Sequence, residues 1–152
     1  MSNKKRDTNI THKIMSSIPS KDTRPELKLR KALWRDNLRY RVNYKKLPGK
    51  PDIVFTKYRV AVFCDGDFWH GHNWAIRGLS SFEEELNGYS DFWRTKITRN
   101  VERDKEVNLA LEELGWTVIR IWENDINKDV DACVKYVKDI LASPEKQETH
   151  KG

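Results

Sequence analysis

Two short apolar runs, DIVF from Asp52 and YRVAVFC from Tyr58, follow one another with only Thr56 and Lys57 between them. Runs of this length beside a turn-forming LPGKP read as neighbouring strands, and a tight antiparallel hairpin sets the start of the first against the end of the second. The carboxylates of Asp52 and Asp65 then share one edge of a sheet. Any fold built on this hairpin has to compensate them, because a carboxylate beside a core is costly unless it is paired, hydrogen-bonded or bound to metal.

The rest of the chain supplies helices to cover such a sheet. SKDTRPELKLRKALWRDN reads as a helix with polar caps ahead of it and Pro25 in its first turn, and THKIMSSI as a shorter one before it. RYRVNY alternates like a half-exposed strand. A loop-like region from His70 to Ser90 leads into DFWRTKITRNVERDKEVNLALEEL, a long helix closed by Gly115, and WTVIRIW follows as a strand. DVDACVKYVKDILA is a last amphipathic helix with Val130, Cys133, Val134, Val137 and Leu141 on one side. The order is helix, three strands, helix, strand, helix, an α/β chain of 152 residues that fits one domain. SPEKQETHKG, residues 143–152, reads as a disordered polar tail.

Two more acids stand where apolar residues belong. Glu26 shares a stripe with Leu29 and Leu33, and Asp104 interrupts the row Trp93, Ile97, Val101, Val107, Leu111 and Leu114. Taken singly, each is satisfied by solvent at a helix end or by a nearby arginine. Taken with Asp52 and Asp65 they form an oxygen-rich set of the kind that suits magnesium, which takes one or two carboxylates plus water and phosphate oxygens. The stretch FCDGDFWHGHNW then places His70 just beyond Asp65 as a candidate base, and the chemistry implied is phosphodiester hydrolysis. Without the acids, His70 and His72 would read as ordinary loop histidines.

The 29 Lys and Arg exceed the 23 Asp and Glu by six, which favours a polyanionic partner, nucleic acid first, although charge alone fits a solvated basic surface equally well. Phe68, Trp69, Trp74, Phe92 and Trp93 flank the expected site, with Lys96, Arg99, Asn100 and Arg103 on the same helix as Trp93. Aromatic wedges between base pairs and basic groups on the backbone would suit a distorted duplex, while for any single aromatic core packing is the plainer account. The two cysteines, Cys64 and Cys133, form no CxxC or Cys/His pattern, so no disulfide framework is expected. No apolar run spans a bilayer and no signal peptide opens the chain, so it reads as cytoplasmic, with no membrane partner. A monomer is expected, since no heptad or apolar stripe is left over.

PGKPDIVF, YRVAVFCDGDFWHGH, FWRTKITRNVERD and LGWTVIRIWE, together with IMSSIPSKDTRPELKLRKAL and LRYRV, resemble the very short patch repair endonucleases, which nick DNA beside T:G mismatches. The similarity runs from Thr8 to Leu141. It implies a restriction-endonuclease-like core over residues 23–142, a central mixed sheet flanked by helices, with residues 1–22 gripping the duplex. It implies Asp52 as a direct magnesium ligand with the main-chain carbonyl of Cys64, His70 as the base that activates water, and Glu26 and Asp104 as groups that hold hydrated metal and histidine. Phe68, Trp69 and Trp93 match the family's wedges, and mismatched duplex DNA is the implied partner. Better-known members hold a structural zinc near the FWH loop. Here Asp67, Trp74 and Asn124 stand at the cysteine-like places and only His72 remains as a ligand, so no structural zinc is expected. Asp65 stands where some relatives carry histidine, and the stretch from His72 to Phe92 is longer than theirs.

Overall fold

The computed structural model describes residues 22–146, so all but residue 22 of the expected duplex-gripping segment, and residues 147–152 of the expected tail, lie outside the described residues. The elements are α1 (Arg24–Arg35), β1 (Ile53–Phe55), β2 (Val60–Asp65), α2 (Asn73–Ile76), α3 (Phe82–Asn87), α4 (Asp91–Glu113), β3 (Thr117–Trp122), α5 (Glu123–Lys128) and α6 (Val130–Leu141).

The strands form one mixed sheet in the order β1-β2-β3. β1 and β2 are antiparallel with Ile53 opposite Val62, so the hairpin does carry Asp52 to the end where Asp65 finishes β2. β2 and β3 are parallel, with Asp65 opposite Trp122. Parallel neighbours need a crossover, and α4 supplies it.

Alternation along the strands separates two faces. Val60, Val62, Ile119 and Ile121 point into the main core, where α1 contributes Leu29 and Leu33 and α6 contributes Cys133, Val134, Val137 and Leu141. Ala61 and Phe63 point the other way, onto Leu111 and Val107 of α4. The Thr23 hydroxyl caps α1 by accepting the Glu26 amide at 3.4 Å. At the far end of α4 the chain turns at Gly115 (φ 89°), and the Trp116 amide donates to the Leu111 carbonyl at 3.0 Å.

Three expectations need correction. RYRVNY does not form a strand: Arg41 makes a single bridge to Val54, and Asn43 at φ 54° turns the backbone away before a ladder can grow. The region from His70 to Ser90 is not simple loop, since it holds α2 and α3. Ser81 starts α3 by accepting the Glu84 amide at 3.2 Å, and the buried Glu85 accepts the Tyr89 hydroxyl at 3.0 Å. Leu114, expected on the inward row of α4, is exposed because the helix ends there.

Candidate active site

α1 and the hairpin build the first half of the site. Glu26 falls on the apolar stripe of α1 and is buried, with 2 % of its surface exposed. It pairs with Arg30 one turn on, and Arg30 reaches Asp22 at 2.7 Å as well. The Asp52 carboxyl lies beside that of Glu26 and accepts the Cys64 amide at 2.8 Å. Burial, then the charge of Glu26 working against the Cys64 hydrogen bond, pushes Asp52 up to about 7. Hard oxygen donors crowded in this way fit a divalent ion such as magnesium. Burial and the charges of Asp52, Glu26 and Asp65 push the Cys64 thiol far up, so Cys64 offers its backbone here and not a thiolate.

The second half is built from β2, the following loop, α4 and β3. The His70 Nδ1 is hydrogen-bonded to Asp104, which sits on the inward side of α4, and its Nε2 lies 3.8 Å from Asp65. Burial pulls the imidazole down, but the Asp104 hydrogen bond and the negative charges of Asp65 and Asp104 outweigh it, and His70 titrates above its ordinary value. Ligand-type atoms of Asp65, His70 and Asp104 all lie within 4.8 Å of one another. Arg120 already stands among them: its Nη1 donates to both Asp65 oxygens at 3.1 Å and lies 3.4 Å from Asp104. A guanidinium among these acids balances their charge, so this half is arranged around the histidine, while the Glu26–Asp52 half gathers oxygen donors that could hold a divalent ion.

Phe68, Trp69 and Trp93 form an edge-to-face group with centroids 5.0–5.6 Å apart, joined by the exposed Phe92 and by Tyr89. Trp93 is buried within it, and Lys96 lies 5.5 Å over the Trp69 ring. Asn100, expected to face DNA, donates to the Trp69 carbonyl at 3.1 Å and tethers the loop. Arg99 and Arg103 are exposed on α4. At the places compared with zinc ligands in the sequence, Asp67 accepts the Asn124 amide at 3.0 Å and bonds His72 at 2.7 Å, while His72 stacks on Trp122 at 4.0 Å.

Sequence reasoning did not find Arg120 or Glu123. Arg120 alternates with Ile119 and Ile121 on β3, which puts it on the opposite face of the sheet from them, toward α4. Glu123 begins α5 and accepts the Thr23 hydroxyl at 3.4 Å.

Comparison with known proteins decides what kind of catalyst this arrangement serves. A family model described as DNA mismatch endonuclease Vsr matches residues 3–76. The type II nicking enzyme V.NmeDIP of Neisseria meningitidis serogroup C is 48 % identical over 129 residues, 85 % of this chain and 84 % of that one. The type II nicking enzyme V.HpaIIP of Haemophilus parainfluenzae is 43 % identical, covering 76 % of this chain and 79 % of its own. DNA mismatch endonuclease Vsr of Escherichia coli K12 is 39 % identical, covering 73 % and 67 %. The chain belongs to the Vsr family. Vsr-family membership makes it a DNA endonuclease, a phosphodiester hydrolase, and the mixed sheet flanked by helices is consistent with the restriction-endonuclease-like fold of that family. Among the described residues no helix is long and apolar enough to cross a membrane.

Proposed function

We propose that this nicking endonuclease is magnesium-dependent and cuts one strand of duplex DNA at a T:G mismatch of the kind left by deamination of 5-methylcytosine. The observation that carries the reading is the pair of half-sites: Asp52 crowded against Glu26, and His70 fixed by Asp104 a short distance away. Asp52 and the Cys64 carbonyl would hold the ion, with Glu26 beside them. When bound, magnesium supplies positive charge to the phosphate as negative charge develops on it. His70 takes the proton of the attacking water at Nε2, because Nδ1 is already engaged with Asp104. Asp65 and Asp104 keep the imidazole oriented and stabilise the imidazolium that results.

Phe68 and Trp69, backed by the buried Trp93, enter the base stack beside the mismatch, which is cheaper to open than a matched pair. Lys96, Arg99 and Arg103 meet the backbone from α4, and Asn100 holds Trp69 in place. A second reading, a nuclease of this fold acting on matched or modified DNA, draws on Asp65 standing where some relatives carry histidine. Both readings share the chemical step. Asp52→Ala and His70→Ala should each lower the nicking rate by roughly a hundredfold while duplex binding persists. Chelation with EDTA should abolish nicking and magnesium restore it. Unchanged nicking in both variants, or in EDTA, overturns the assignment.

A further inference from the structure

Residues 39–50, RYRVNYKKLPGK, carry five cations and no carboxylate. Arg39 is engaged with Trp34, 3.8 Å over its ring and donating to its carbonyl at 3.0 Å. Arg41, Lys45, Lys46 and Lys50 make no ion pair among the described residues, whereas Arg30, Arg35, Arg94, Arg120, Lys135 and Lys138 each do. Asn43, Tyr44, Lys45 and Lys50 share a small cleft with Glu26 and Asp52, and Arg41, Lys45 and Lys46 line an open groove of about 540 Å³ along the same loop. The loop is held firmly. Leu47 packs beside Val107, and Gly49 (φ 77°) lies so close to that valine that an added Cβ would sit 2.4 Å from its Cγ1.

Unpaired cations on an anchored loop beside the reacting centre match a polyanion of fixed course. We propose that the 41–50 loop is a backbone-binding site that holds the DNA phosphates on one side of the nicked bond, through Lys45, Lys46 and Arg41. It rests on DNA as the partner and not on the choice of mismatch. The test is duplex binding by Lys45→Gln/Lys46→Gln over a series of salt concentrations, with Lys135→Gln/Lys138→Gln on α6 as a control of equal charge. The loop variant should bind more weakly on T:G and matched duplex alike, with a salt slope shallower by about 1.8, since each released phosphate contributes ~0.9. A slope equal to the control's overturns the proposal, and leaves the endonuclease reading intact.

A different observation concerns β3. Arg120 reaches Asp65 through two oxygens, approaches Asp104, donates to Asn108 at 2.8 Å and stacks 4.1 Å over the Phe63 ring. Both carboxylates that face His70 are thus fixed by one guanidinium. The geometry points to Arg120 as a positioning residue that aims Asp65 and Asp104 at His70. This rests on His70 as the base, so His70→Ala is measured alongside. Arg120→Gln should lower the single-turnover rate at saturating DNA by tenfold or more with the dissociation constant for DNA unmoved, and Arg120→Lys should recover part of the loss. A variant that melts lower yet nicks at the parental rate well below its Tm overturns the positioning role. An active His70→Ala would instead remove the reading beneath it.

Discussion

His70 and Asp52 carry opposite problems, and each makes a prediction that pH can test. To accept a proton, His70 must be neutral, and it faces Asp65 from β2, Asp104 from α4, Arg120 from β3 and Glu123 from α5. Because its pKa is raised above 6.5, the protonated form persists to higher pH. The single-turnover rate should therefore climb with pH along a limb whose midpoint lies above 6.5. Asp104→Asn removes the hydrogen-bonded charge and should move that midpoint down; a midpoint that stays or rises contradicts the assignment. For Asp52 the folded value is about 7 against 3.8 for a free carboxyl, so the folded state holds its proton where the unfolded chain has lost it. Stability is therefore lost as pH rises from about 4 through 7. Asp52→Asn should raise the Tm in EDTA at pH 8 and leave it unchanged at pH 4. A lower Tm at pH 8 would show that the buried carboxylate is not a liability in the metal-free protein.

The loop after β2 is the element whose chemistry departs most from relatives that carry zinc. Asp67 ties the loop to the start of α5 through the Asn124 amide and to its own turn through His72. If no structural zinc is bound, as the sequence leads one to expect, these hydrogen bonds to a charged group would anchor the loop. Asp67→Ala should cost roughly 2 kcal/mol, about 5 °C in Tm for a domain of this size, and a chelator selective for zinc should leave the parental Tm unchanged. Stoichiometric zinc in protein purified without added metal would contradict this. Elements with strong periodicity were readable from the sequence: the stripes of α1 and α4 exposed Glu26 and Asp104 as misfits, and both sit in the site. Short elements were not. α2 and α3 are four and six residues long, too brief for an apolar period to show, and their order depends on Glu85 meeting Tyr89 and the Trp74 amide. RYRVNY has the alternation of a strand, but Asn43 in the left-handed region ends the pairing after one bridge.

At the scale of the molecule, the hairpin carries Asp52 to the end of the sheet where Glu26 of α1 meets it, and α4 lays Asp104 beside a loop that lies 34 residues away in sequence. The hairpin could be anticipated because its two apolar runs are adjacent in sequence, although the turn takes residues 56–59 and so includes Tyr58 and Arg59, read as strand. Arg120 could not, since it is 55 residues from Asp65 and only the parallel register of β2 and β3 joins them. The result is a histidine set among Asp65, Asp104 and Arg120 on one side and, on the other, Asp52 crowded against a Glu26 that pairs with Arg30, an arrangement that suits the proposed hydrolysis by a base and a cation. The most direct test is a nicking assay with magnesium on paired duplexes that differ in a single T:G or C:G pair, run across a library of flanking sequences. The account predicts nicking of the T:G duplex alone, on one strand, abolished by Asp52→Ala. Equal cutting of both duplexes would contradict it.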